Sequence, residues 1–192
     1  MSGSRSGTSR VRSDLDWVQS MGGPLIVVPA SALDQWGGCT EDGVIVGGTD
    51  TPDDYDRACE VEGWAGVISV GAGACALVLA DEPATTCYLP EHNIFLRRLA
   101  ADSDAELLEA AEAVLNEPSG EWEDCGIWET DGAAVLMDSA EAGADPDVEY
   151  PGSGGLPEQA RIPVSAGRWN IRAFHRTDDF PWVGIVQLLP AH

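Results

Sequence analysis

Residues 182–189, Trp-Val-Gly-Ile-Val-Gln-Leu-Leu, are apolar on both faces of a period-two strand. Such a segment suits the centre of a sheet, because an edge or one-sided position would leave half of its apolar surface in water. The strand before it alternates. Over residues 168–176, Trp169, Ile171 and Ala173 share one face, with His175 in register, and Asn170, Arg172 and Arg176 share the other.

The remaining chain is punctuated in the same style. Leu25, Ile26, Val27 and Val28 form an apolar run closed by Pro29, the pattern of a buried strand. Residues 64–70 and 74–80 flank Gly71-Ala72-Gly73 and read as a hairpin; residues 85–89 and 94–99 follow as two more strands of a meander. Residues 122–137 read as a further hairpin turning at Asp131-Gly132. One helix stands out over residues 104–115. Ser103 is its N-cap, Glu106 completes a capping box, and Leu107, Leu108, Ala111, Val114 and Leu115 recur at helical spacing. A shorter helix is expected over residues 14–21, with Leu15 and Val18 along one side and Gly22-Gly23-Pro24 to stop it. Ser31 is placed to cap a turn of helix through Leu33 and Trp36. The fold class is therefore α+β and strand-dominated, with antiparallel meander sheets and one well-defined amphipathic helix. Residues 1–13, rich in Ser and Gly, read as a disordered tail, and residues 138–158, rich in Asp, Glu, Gly and Pro, as a mobile surface loop. A boundary near Pro118 would divide an N-terminal α+β domain, residues 14–117, from a β-rich C-terminal module, residues 118–192, unless the two are one continuous domain.

Charge sets the class of partner. The 192 residues carry 33 acidic side chains against 10 basic ones, a net charge of −23, and every basic residue is an arginine. Arg5, Arg10 and Arg12 lie in the tail, so the body is more acidic still. A field of this sign repels nucleic acid and anionic lipid and speeds encounter with a basic protein. It also serves plain solubility. The cysteines, at 39, 59, 75, 87 and 125, form no C-x-x-C and are odd in number, which suggests buried reduced thiols in a cytoplasmic protein. No metal-ligand spacing, phosphate loop, dinucleotide fingerprint or nucleophile elbow is present, so no metal or cofactor is expected. The first residues lack the apolar run of a signal peptide, and no stretch has the length of a membrane span.

Asp50, Asp53, Asp54 and Asp56 form the densest acidic run, following a Gly- and acid-rich stretch that is interrupted by Val44-Ile45-Val46. One reading is a patch that meets the basic residues of a protein partner; the other is a solvated loop in which Asp56 pairs with Arg57 or caps a helix. The calcium-loop pattern fails for want of its glycine and distal glutamate. Of the seven tryptophans, Trp64, Trp128, Trp169 and Trp182 fall in strands and suit a core, whereas Trp36 and Trp122 stand in polar, Gly-rich surroundings and suit interface anchors. His92 and His175 are the only internal histidines that a hydrolase could use; Cys75, Cys87 and Ser69, its candidate nucleophiles, sit in apolar strands with nothing to activate them.

One set of residues carries a family resemblance. Trp17-Val18, Ser20, Gly22-Gly23-Pro24-Leu25 with Pro29, then Asp54-Tyr55-Asp56-Arg57-Ala58-Cys59, Gly66-Val67-Ile68 and residues 77–83 resemble the immunity protein 21 family, supported further on by Pro163, Gly167 and Trp169. The resemblance implies a cytoplasmic antidote that binds and neutralises a cognate bacterial toxin, and it supplies no catalytic residue. Together with the acidic excess, which suggests a basic surface on the toxin, it leads to the expectation of a non-enzymatic protein that works by occlusion. The alternatives are an acidic interaction module unrelated to toxins, and a hydrolase built on His92 or His175.

Overall fold

The computed structural model of the protein describes residues 15–117, 120–145 and 157–192. The expected tail lies outside these residues, as does most of the acidic loop after 145. Among the described residues, ten strands form two five-stranded sheets, and every pairing between them is antiparallel. The first sheet has the order β2 (Gly66–Val70), β3 (Ala74–Leu79), β1 (Leu25–Pro29), β7 (Ala134–Asp138), β8 (Ala160–Ile162). The second has the order β4 (Thr85–Leu89), β5 (Ile94–Ala100), β10 (Trp182–Pro190), β9 (Gly167–Arg176), β6 (Glu123–Thr130). Strands from both sides of Pro118 interleave in each sheet, because β1 pairs with β7 and β5 with β10. The boundary drawn at Pro118 therefore runs through both sheets.

The alternation of side chains along each strand builds the layers. Leu25 and Val27 of β1, Leu77 and Leu79 of β3, Phe95 of β5, Trp128 of β6, Ile171 and Ala173 of β9, and Val186 and Leu188 of β10 meet between the sheets. The intervening residues face outward and are covered. On the first sheet Ile26, Val28, Val78 and Met137 pack beneath Ala32 of a 3-10 turn (Ala30–Gln35), Trp36 that follows it and Ala58 of α1 (Asp54–Cys59). On the second, Cys87, Leu96, Val183 and Ile185 pack beneath α2 (Asp104–Leu115). As its sequence demands, β10 lies at the centre of its sheet with apolar contacts on both faces.

The long helix forms over the expected residues. Ser103 Oγ accepts from Glu106 N at 3.2 Å, and Leu107, Ala110, Ala111 and Val114 make the buried stripe. Leu108 and Leu115, expected on that stripe, are only partly buried.

Other expectations are corrected. Residues 15–21 form no helix; Val18 instead makes an isolated bridge to Thr86 and enters the core between the sheets. Strands β6 and β7 are not a hairpin, since β6 pairs with β9 and β7 with β1 and β8. The turn at Asp131-Gly132 carries the chain from one sheet to the other. Residues 138–143 are packed rather than mobile: Asp138 accepts from Met21 N at 2.6 Å and Ala140 N at 2.9 Å, and Gly143 N donates to Trp36 O at 2.9 Å. Cys87 alone of the five free thiols is fully buried, and Cys59 is exposed. Trp182, at the bulged start of β10, is exposed where a core position was expected.

If α2 is fixed by its apolar stripe, Leu107→Ala should cost about 2–5 kcal/mol of unfolding free energy in urea melts. Glu109→Ala, on the exposed face of the same helix, should stay within about 0.5 kcal/mol. Equal effects of the two would contradict this packing.

Candidate protein-interaction site

The acidic run is a folded device rather than a loose patch. Asp53 is the N-cap of α1: its Oδ1 accepts from Asp56 N at 2.9 Å, and Asp56 Oδ2 accepts in return from Asp53 N at 3.0 Å, closing a reciprocal capping box. Each carboxylate has a second task. Asp53 Oδ2 accepts from Thr40 N at 2.6 Å, while Asp56 accepts from Val44 N at 2.6 Å and Ile45 N at 2.9 Å. Asp54 accepts from Gly37 N at 2.7 Å and pairs with Arg57, whose other nitrogen donates to Ser69 O at 2.9 Å. Asp50 lies exposed beyond the helix start.

These contacts pin the loop of residues 39–50 onto α1. Within it, Gly47 N donates to Gly43 O at 2.8 Å. A Cβ at Gly43 would strike the Asp53 carboxylate and one at Gly47 the Glu41 carbonyl oxygen, so both positions require glycine. The outcome is a tightly closed loop whose Val44, Ile45 and Val46 side chains stand 43, 56 and 65% exposed. Burial by itself would raise the Asp56 carboxyl, but hydrogen bonds from Asp53, Ile45 and Val44 outweigh it and hold the group below its ordinary range.

The residues singled out from sequence thus separate. Asp50 is at the surface, Asp53 and Asp54 are half-buried, and Asp56 is buried with only 3% exposed. Trp36, expected as an exposed anchor, is 1% exposed: it packs on the outer face of the first sheet and its indole donates to Ser139 O at 3.0 Å. Trp122 is half-buried against Phe174, with the Arg172 guanidinium 4.1 Å from its ring centre. In the sequence, residues 44–46 read only as an interruption in a polar stretch. The signal available was three β-branched aliphatics in a Gly- and acid-rich loop with no periodic neighbour to pack against.

The histidines are far apart in character. His92 is exposed in the turn between β4 and β5. His175 is enclosed, stacked on Trp64 with centroids 4.6 Å apart, with Nε2 3.5 Å from an Arg97 nitrogen and Nδ1 3.6 Å from Asp81. Arg97, buried on the inner face of β5, donates to Ala80 O at 2.7 Å and to Glu82 O, which ties the end of β3 to the second sheet. Burial first, then the Arg97 charge, lowers the His175 pKa to about 4, against the opposing pull of Asp81. A 420 Å³ cavity beside it is lined by Trp64, Phe174 and Arg176 among others, and its described lining includes no serine or cysteine. Cys87, a candidate nucleophile, is pushed up to about 12, chiefly by burial. The described residues hold no His, Cys, Asp and Glu cluster suited to a metal, and no helix among them is long and apolar enough to cross a membrane.

His175 generates a pH dependence. Its proton is bound near pH 4 in the folded chain and near the ordinary 6.5 when unfolded, so its contribution to stability is complete above about pH 6.5 and is lost as pH falls towards 4. His175→Phe, which keeps a ring on Trp64 without a titrating nitrogen, should flatten the fall in unfolding free energy across that window. An unchanged slope in urea melts at stepped pH would refute the assignment. At the loop, Asp56→Ala should speed amide exchange at Val44 and Ile45 while leaving β10 protected; no change there would mean the carboxylate does not hold the loop.

Comparison with known proteins gives one result. No curated protein and no solved structure matches the chain. The family profile described as immunity protein 21 matches residues 16–180, which takes in the first sheet, the second sheet except β10, both helices and the pinned loop. The chain belongs to the immunity protein 21 family.

Proposed function

We propose that this protein is a cytoplasmic antidote that binds a cognate bacterial toxin domain and neutralises it by stoichiometric occlusion of its active or substrate-binding site, with no chemistry of its own. Family membership is the observation that carries this reading. The net charge of −23 supports a toxin with a basic surface and argues against nucleic acid or an anionic membrane as the target. Carboxylates can occupy the cationic groups that a toxin uses on its own substrate. Asp50, Asp53 and Asp54 contribute to that field at the loop surface, whereas half-buried Trp122 packs on the outer face of the second sheet and lies apart from that loop. His175, its basicity lowered by burial and with no serine or cysteine in the described lining beside it, is a poor general base for a hydrolase, which supports binding over catalysis as the means of neutralisation.

The test is co-expression with the toxin domain encoded directly beside this chain. Growth rescue together with a complex that survives purification is the expected result; rescue without any complex would point to an enzymatic antidote, and no rescue would contradict the reading. In the purified complex, raising salt should slow association by about tenfold or more while changing dissociation only by about twofold. Equal effects on both rates would remove electrostatic steering from the account.

A further inference from the structure

Three consecutive exposed aliphatic side chains, Val44, Ile45 and Val46, are an expensive feature to display in water, and the way they are displayed is informative. A slack loop would let such side chains fold back against the protein. Here the backbone is fixed: the Val44 and Ile45 N–H groups are turned inward onto the Asp56 carboxylate, Thr40 N onto Asp53, and Gly43 and Gly47 admit no side chain. Three hydrogen bonds to the carboxylates of Asp53 and Asp56, and the Gly47–Gly43 bond within the loop, therefore hold it with its apolar tip outward. An ordered loop has already met most of the entropy cost of docking, which is the property of a preorganised anchor.

The surroundings of the tip identify what it fits. Glu41, Asp42 and Asp50 flank it and are exposed, so the tip is apolar at its centre and acidic around it. A second copy of this chain would bring two acidic rims together and is disfavoured by charge. The matching surface is a groove with an apolar floor and arginine or lysine along its edges, in keeping with an interface built from a desolvated anchor inside a polar ring.

We infer that residues 44–46 form the anchor of the inhibitory contact, inserting as a plug into a basic-edged groove of the toxin domain. This deepens the toxin-binding reading and rests on it. Asp53, Asp54 and Asp56 then act mainly as the frame that presents the plug, and the flanking Glu41, Asp42 and Asp50 act as its charged rim.

The variant Ile45→Ser/Val46→Ser tests this, with Phe180→Ser/Trp182→Ser, which removes exposed apolar surface elsewhere, as the control. Because all four side chains are exposed, both variants should keep the parent's circular dichroism and melting temperature. Binding to the purified toxin domain encoded beside the chain should weaken at least about 100-fold in the loop variant, mostly through faster dissociation, and growth rescue should be lost. The control should stay within about threefold. Asp42→Asn/Asp50→Asn should slow association and leave dissociation nearly unchanged. If the parent chain binds and rescues while the loop variant does so equally well, the plug is overturned and the toxin-binding reading stands. If the parent chain neither binds nor rescues, both are overturned.

Discussion

Strands β1 and β10 lie inside their sheets and carry apolar side chains on both faces, so each sheet needs cover on two sides. Packing the sheets on each other satisfies one face of each. The outer faces then demand something further, and the chain supplies it locally: the 3-10 turn and α1 for the first sheet, α2 for the second. This requirement explains why Trp36 is inside. A small six-residue helix and one turn cannot cover a sheet with short side chains, and the buried Trp36 indole adds to that cover. It also explains the placement of the acidic loop. Anything tied to α1 is held on a firm outer layer, so constraints on α1 become constraints on the surface beyond it.

Asp56 links these levels. Its carboxylate closes the capping box of α1 and gathers the Val44 and Ile45 amides, so one side chain sets a helix start and the shape of an exposed loop. A charge in that position is stable because its oxygens accept several N–H groups, which compensates for lost water. The acidic excess of the chain thus divides into carboxylates that build structure and carboxylates left to the solvent. The chain belongs to the immunity protein 21 family, and in the proposed toxin-binding reading the second kind would do most of the steering while Asp53 and Asp54 add charge as they hold the frame.

Features coded by neighbouring residues were legible in the sequence. The 104–115 helix follows from its cap and its stripe, the β2–β3 hairpin from its glycine turn, and the central place of β10 from its two apolar faces. Features coded by distant pairing were not. Asp131-Gly132 marks a tight turn whichever way the next strand goes, and β7 goes to the other sheet because its partners are the distant β1 and β8 while β6 pairs with β9. Residues 15–21 have helical spacing, yet the gain from burying Val18 beside Thr86 outweighs a short helix. In the acidic run, charge density pointed to the right region while concealing the division of labour. Whether an aspartate faces a partner or caps a helix depends on the backbone it meets, and Val44, Ile45 and Val46 acquire meaning only once their amides are seen to point inward.

The most direct test of this account is hydrogen–deuterium exchange of the whole chain, alone and in complex with its toxin domain. The account predicts that protection on binding is concentrated in peptides covering residues 40–50, with the strands of the second sheet unchanged. A complex that protects other surfaces and leaves residues 40–50 exchanging as in the free protein would contradict it.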